Sequence, residues 1–240
     1  MTYLLATRLT LILGWEFDVD VLILSVHPDD EALGCGGTIL KHAAAGDRVF
    51  WLIMTEAYEP QWSSDLIARK TAEVEDVAKA YGVDEFFKLK FPTTQLDVVP
   101  QSEMISGIRD VIGKVRPELV YMIHRGDIHT DHYATFLAAM SVLKPFYMAQ
   151  LGVRRVLCYE TLSSTEAAPA FVERAFVPNV FSDITPYLDR KIEIMDLYGS
   201  ETHSDPFPRG PSAIRALARF RGATISVDYA ESFILVREIF

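Results

Sequence analysis

The chain has 240 residues, half of them apolar, and its 33 acidic and 23 basic side chains give a formal charge of −10. A chain of this length buries a core without metal or disulfide staples, so a metal bound here is predicted to be functional rather than structural. The acidic balance argues against nucleic acid as a partner. The two cysteines, Cys35 and Cys158, form no spaced disulfide framework, which favours a reducing compartment and predicts a cytoplasmic protein.

Residues 1–19 are predicted to form an N-terminal extension. The stretch Tyr3–Trp15 is apolar but short and contains Arg8, so it fits neither a signal peptide nor a membrane span. Later apolar runs are all shorter than the ~18 residues that a transmembrane helix needs, and no stable membrane insertion is expected.

Aliphatic runs alternate with amphipathic segments over residues 20–160. Strands are predicted over 21–26, 48–54, 85–90, 118–123 and 155–159, and helices over 31–45, 63–81, 102–115 and 131–143. Gly46 and Gly82 mark the ends of the first two helices. Strands that alternate with crossover helices predict an α/β fold, with a Rossmann-like, doubly wound and mostly parallel sheet.

The segment from about 165 to 240 is less regular. Helices are predicted over 187–198 and 212–221, and an edge strand over 232–239, with prolines between the helices. We expect this C-terminal segment to wrap over the sheet within a single domain of residues 1–240.

Two polar clusters follow the first and fourth predicted strands. One is His27-Pro28-Asp29-Asp30-Glu31, and the other is Asp127-Ile128-His129-Thr130-Asp131-His132. In open α/β sheets, ligands bind beyond the carboxyl ends of the strands where the winding reverses, which predicts that both clusters share one site. Imidazole and carboxylate together suit Zn²⁺, and three protein ligands with an open position form a catalytic zinc site.

Other interpretations remain open for each cluster alone. The first is also compatible with a strand exit capped by an Asx turn, and the second with a pair of surface histidines at a helix start. Gly34, Gly36 and Gly37 do not match the dinucleotide-binding fingerprint. They are predicted to let the first helix approach the sheet closely.

These residues resemble the PIG-L/LmbE-like zinc-dependent N-acetyl amino-sugar deacetylases. The resemblance is carried by the two clusters, by Gly34-x-Gly-Gly37-Thr38 and, more weakly, by Arg69-x-x-x-Glu73, Tyr198-x-Ser200-Glu201 and Ala230-Glu231-x-Phe233. It implies that His27, Asp30 and His132 ligate zinc and that Asp29 is the general base. It also implies that His129 faces the developing oxyanion, as a cation, and that Asp131 orients His129.

The substrate contacts are less defined by the resemblance. Many relatives have an acid after the proline of the third-strand loop, where this chain has Thr93, so the sugar contact there is in question. Arg69 and Glu160 are predicted as substrate contacts, against the alternatives of a solvated arginine and a turn cap. Arg209, with Arg215, Arg219 and Arg221, is expected either in a solvated basic face or opposite a second subunit or a substrate phosphate.

The predicted function is a metal-dependent hydrolase that removes the acetyl group from an N-acetylated amino sugar or its glycoconjugate. Zinc would activate the attacking water, since it lowers the water pKa to about 7; Fe²⁺ and Co²⁺ are alternative metals. The same site on a non-sugar or thiol-conjugate amide is the second hypothesis, and a non-catalytic binding module is the third. The uneven charge also suggests a homo-oligomer, formed between the basic C-terminal helix and the acidic body of another copy.

Overall fold

The fold is known from a computed structural model that describes residues 19–240. The predicted N-terminal extension, apart from Val19, lies outside the described residues. Within these residues, seven strands form one sheet: β1 (Asp20–Ser25), β2 (Arg48–Glu56), β3 (Glu85–Pro92), β4 (Leu119–Ile123), β5 (Arg155–Tyr159), β6 (Val180–Asp183) and β7 (Ala230–Glu238). The helices in the described part are α1 (Asp30–Ala45), α2 (Ser64–Tyr81), α3 (Gln101–Val115), α4 (Thr130–Val142), α5 (Pro145–Leu151), α6 (Leu188–Met195) and α7 (Pro211–Thr224).

The strand order is β3-β2-β1-β4-β5-β7-β6. The first five strands are parallel, and β7 runs antiparallel to both β5 and β6. The α/β fold predicted from the sequence is confirmed, and the winding direction reverses between β1 and β4. The carboxyl ends of these two strands therefore leave a crevice at the position where both polar clusters begin.

Helices cover the sheet because its central strands are apolar on both faces. Val21 to Leu24 of β1 are almost completely buried, as expected for a parallel strand between two helical layers. On one side α1 packs against α2 and α6, while α3 packs against α4. No helix in residues 19–240 combines the length and the apolar character needed to cross a bilayer.

The glycines at the start of α1 allow a close approach to the sheet, as predicted. A Cβ atom on Gly34 would lie 2.2 Å from the Tyr159 ring, and one on Gly37 would lie 2.8 Å from Ile184. Any side chain at these positions would push α1, and the polar residues at its N-terminus, away from β5 and from the neighbouring C-terminal segment.

The C-terminal segment differs from its prediction in one respect. The strand predicted at the sheet edge is β7, but β7 lies between β5 and β6, and the unpredicted β6 forms the edge. Phe233 pairs with Tyr159 of β5 on one side and with Val180 of β6 on the other, so the start of β7 is an interior strand. Outside the C-terminal segment, the short helix α5 was not predicted either.

Candidate active site

The first polar cluster lies in the tight turn between β1 and α1. The Oδ2 atom of Asp30 accepts the backbone N–H groups of Val26 at 3.0 Å and His27 at 2.8 Å. The Oδ1 atom of the same carboxylate lies 3.4 Å from Nε2 of His132. Asp30 therefore caps the strand exit and also faces the second cluster, so the two interpretations of the sequence are compatible.

The second cluster lies at the N-terminus of α4. His129 is its N-cap, and His132 lies in the first turn, 2 % exposed. Nε2 of His132 lies 3.3 Å from Nδ1 of His27. Ring nitrogens of His27, His129 and His132 all lie within 4.8 Å of one another. The fold thus brings the three predicted metal ligands together, with His129 beside them.

The outer nitrogen of each proposed imidazole ligand faces a carboxylate. Nε2 of His27 lies 3.0 Å from Oδ2 of Asp131, and Nδ1 of His132 lies 3.3 Å from Oδ2 of Asp127. In the neutral imidazoles, a proton on each outer nitrogen would leave Nδ1 of His27 and Nε2 of His132, which lie 3.3 Å apart, available to bind a metal. This carboxylate–histidine arrangement is typical of metal sites, and it is compatible with a bound zinc ion.

Asp131 does not orient His129 through its carboxylate, contrary to the expectation from the resemblance. Besides His27, that carboxylate accepts the backbone N–H groups of Thr94 at 2.6 Å and Leu96 at 3.0 Å. Among the described residues, no hydrogen bond joins this carboxylate to the His129 ring, and its partners are His27 and the loop after β3. Asp131 therefore orients His27.

His129 also differs from the expected cation. Its Nδ1 accepts the backbone N–H of Asp131 at 3.2 Å, so that nitrogen carries no proton. Burial lowers the pKa of His129, and the neighbouring His27 and His132 rings add to this effect, which brings it to about 4. The lowered pKa and the occupied Nδ1 both favour the neutral ring with its proton on Nε2.

The electrostatics of the site favour positive charge. Burial alone would lower the pKa of His132, but Asp30 and Asp127 raise it to about 10. Burial likewise opposes ionisation of Asp30, yet the two imidazoles and the backbone N–H donor hold its pKa below the usual range. Because these carboxylates stabilise a proton on His132, they would also stabilise a divalent cation that replaces this proton.

The Asp29 carboxylate has a different hydrogen-bond partner from the Asp30 carboxylate. Its backbone has φ 124° and ψ −27°, and its Oδ2 accepts a hydrogen bond from Nη1 of Arg209 at 2.6 Å. Burial raises the pKa of Asp29 well above its usual range, while the Arg209 guanidinium opposes the rise. The adjacent acids Asp29 and Asp30 are thus directed to different partners.

A cleft of about 290 Å³ opens over these residues. Thr93 of the loop after β3 lies in its wall. Several wall residues were not predicted from the sequence, because they come from α2, from the loop before it, from the loop after β5 and from the C-terminal segment: Trp62, Ile67, Lys70, Thr71, Ser164 and Glu201. Arg209, for which a substrate phosphate was one of three alternatives, also lies in the wall.

The two predicted substrate contacts lie elsewhere in the structure. Arg69 is 55 % exposed, pairs with Glu73 at 3.1 Å and does not line the cleft, whereas the neighbouring Lys70 does. Glu160 accepts two hydrogen bonds from Arg221, both at 2.8 Å. This pair lies between β5, β7 and α7, so the geometry favours a structural role for Glu160.

Known proteins resemble this chain over most of its length. The diacetylchitobiose deacetylase of Thermococcus kodakarensis is 28% identical over 231 residues, which cover 92% of this chain and 84% of that protein. A protein of Escherichia coli named as the uncharacterized deacetylase YaiS is 28% identical over 169 residues, 68% of this chain and 81% of its own length. The crystal structure of the conserved protein TT1542 from Thermus thermophilus superposes with a TM-score of 0.74 at 25% identity, covering 92% of this chain and 96% of the other.

The family model that describes GlcNAc-PI de-N-acetylases, PIG-L, matches residues 22–143. The match spans just over half of the 240 residues and includes both polar clusters. With its sheet order, its strand-end histidines and its paired carboxylates, this chain belongs to the PIG-L family of de-N-acetylases.

Proposed function

We propose that the protein is a metal-dependent deacetylase that hydrolyses the N-acetyl group of an amino sugar or its glycoconjugate. The observation that carries the proposal is the convergence of His27, Asp30 and His132 beside a separately directed carboxylate, that of Asp29. The family match and the two relatives named as deacetylases support the same activity.

The metal would be held by His27, Asp30 and His132. Zinc fits this donor set best, because its ligands are imidazole and carboxylate and both imidazoles are backed by carboxylates. Bound there, a zinc ion would supply Lewis acidity, which lowers the pKa of water and polarises a carbonyl oxygen.

Asp29 would take the proton of the attacking water and return it to the departing amine. Among the described residues only Arg209 donates to its side chain, through Oδ2, so Oδ1 is available to a molecule in the cleft. A buried carboxyl group whose pKa is raised is suited to cycle between base and acid.

His129 would stabilise the oxyanion through its neutral ring. With Nδ1 occupied by the Asp131 N–H group, only Nε2–H can donate to the substrate. A preorganised neutral donor of this kind contributes to catalysis because its position does not change as charge develops.

The walls of the cleft favour a sugar over a purely apolar amide. Hydroxyl and charged groups outnumber apolar side chains among the lining residues, and they include Glu56, Thr71, Lys88, Thr93, Ser164 and Glu201. Amino sugars need several such hydrogen-bonding partners, whereas an acyl-amide substrate needs an apolar groove.

Acetate release from N-acetylglucosamine and N,N′-diacetylchitobiose tests the proposal. Asp29→Asn should retain stoichiometric zinc and lose acetate release, because the amide cannot accept the water proton. Asp110→Asn, an exposed position on α3, is the matched control and should retain wild-type turnover. Turnover by Asp29→Asn, or a wild-type enzyme unaffected by complete chelation of metal, would contradict the mechanism.

Binding can be followed without turnover through tryptophan fluorescence. Trp62 lines the cleft, while Trp51 is buried and donates to Ser25 at 2.7 Å. Adding diacetylchitobiose to the Asp29→Asn protein should change the emission, and the change should vanish when Trp62→Phe is added. An unchanged emission at saturating ligand would argue against this cleft as the sugar site.

A further inference from the structure

The backbone of Asp29 is strained, and its main-chain hydrogen bonds do not orient its side chain. Its φ of 124° lies in a region that residues other than glycine rarely adopt. Its carbonyl accepts the N–H of Leu33 at 2.9 Å, and its N–H donates to Glu31 at 3.2 Å. These bonds hold the main chain, but they leave the side chain to be oriented by something else.

Arg209 is the only described residue that donates a hydrogen bond to the Asp29 side chain. Besides the 2.6 Å bond from Nη1 to Asp29, the same nitrogen donates to Oε2 of Glu201 at 3.1 Å. Nε of Arg209 donates to Oγ of Ser163 at 2.9 Å. The guanidinium is planar, so three partners on two of its nitrogens fix both its position and its plane.

The restraint extends to the opposite wall of the cleft. Glu201, which accepts from Arg209, is also ion-paired with Lys70 of α2. Charges therefore alternate in a row from Lys70 through Glu201 and Arg209 to Asp29. This row connects α2, the loop between α6 and α7, and the α1 N-terminus, which are far apart in the sequence.

We propose that Arg209 is a positioning residue that holds the Asp29 carboxylate in the orientation needed for proton transfer. The inference rests on the proposed function, since it assigns Arg209 to the proposed base. By occupying Oδ2, Arg209 directs the unshared Oδ1 towards the cleft. The C-terminal segment that carries Arg209 therefore completes the catalytic apparatus rather than merely covering the sheet.

Alternatively, the ion pair between Arg209 and Asp29 only stabilises the packing of the loop before α7 against the rest of the protein. In that case its loss would lower the stability of the protein, and a small cation would not restore activity. A positioning role instead affects kcat more than KM, because a misplaced base impairs the chemical step, where a displacement of about 1 Å costs up to ~10²-fold.

The experiment compares Arg209→Met, Arg209→Lys and Arg209→Ala with the control Arg215→Met. Arg215 forms an exposed ion pair with Asp189 on the outer face of α7, so its loss should leave kcat unchanged. Arg209→Met should lower kcat by about 10- to 100-fold, with little change in KM, zinc content or Tm. Arg209→Lys should recover only part of the rate, since an ammonium group cannot reproduce the planar set of donors.

Chemical rescue provides the second readout. Millimolar guanidinium chloride, far below denaturing concentrations, should raise the kcat of Arg209→Ala but not that of Asp29→Asn. Wild-type kcat in Arg209→Met would overturn the positioning role and leave the deacetylase proposal intact. The positioning role would also be overturned if the loss of rate paralleled a decrease in Tm and was not reversed by guanidinium. A change in KM without a change in kcat would have the same consequence. A wild-type protein that releases no acetate would overturn the proposed function itself.

Discussion

Replacing Asp131 by Asn tests whether its carboxylate orients His27, as the structure indicates, or His129, as the family resemblance implied. The carboxylate accepts hydrogen bonds from His27, Thr94 and Leu96, and an amide can accept through only one oxygen. If its NH₂ group faces Nε2 of His27, the imidazole proton moves to Nδ1, the atom proposed as the metal ligand. Loss of a hydrogen bond to a charged group costs about 1.5–3 kcal/mol. Because 1.4 kcal/mol is a factor of ten, zinc affinity should fall about 10- to 100-fold.

Competition with a chromophoric zinc chelator measures this affinity, and acetate release at saturating zinc measures the remaining activity. Asp131→Asn should bind zinc weakly and regain much of its turnover when zinc is added in excess. Unchanged zinc affinity with reduced kcat would refute the reasoning, since that result is expected if Asp131 orients His129. Asp110→Asn again serves as the control for a change of one charge.

Three further variants test separate parts of the structure. His129→Ala should lower kcat by about 10²–10³-fold with zinc content unchanged; loss of zinc would instead make His129 a ligand. Lys191→Met should reduce the free energy of unfolding by about 3–5 kcal/mol in urea denaturation, because the buried Glu231 carboxylate loses its cationic partner at 2.7 Å and keeps only the neutral donors of Gly37 and Thr38; a change under about 1 kcal/mol would contradict this. Glu160→Gln should weaken the pairing with Arg221 and lower Tm without changing KM, and a raised KM would restore Glu160 as a substrate contact.

The sequence was sufficient to predict the fold class and the position of the site. The apolar run of β1 and the alternation of strands with helices predict a parallel sheet. The common strand order of such sheets predicts that the carboxyl ends of the first and fourth strands lie next to each other. His27 and His132 could therefore be assigned to one crevice although 105 positions separate them. The Gly34 prediction succeeded for a similar reason, since several glycines in one helical turn indicate close packing.

Contacts between remote side chains could not be predicted in this way. Asp131 was assigned to His129, its neighbour in sequence, but its carboxylate contacts His27 at a separation of 104 residues. Arg209 was expected in a solvated basic face or opposite a second subunit or a substrate phosphate, yet it contacts Asp29, 180 residues away in the sequence. The residues next to Asp131 and Arg209 in the sequence do not indicate these contacts, because the direction of a side chain depends on how the elements around it are packed.

The residue types and their spacing along this chain thus determine that a histidine–carboxylate site lies at the reversal point of an α/β sheet. The tertiary structure decides which carboxylate serves which imidazole, how Asp29 and Asp30 are separated, and that the interior strand β7 brings Glu231 to Lys191. The physical reason is that hydrophobic periodicity specifies the elements locally, whereas hydrogen bonds between distant polar groups form only after those elements have packed.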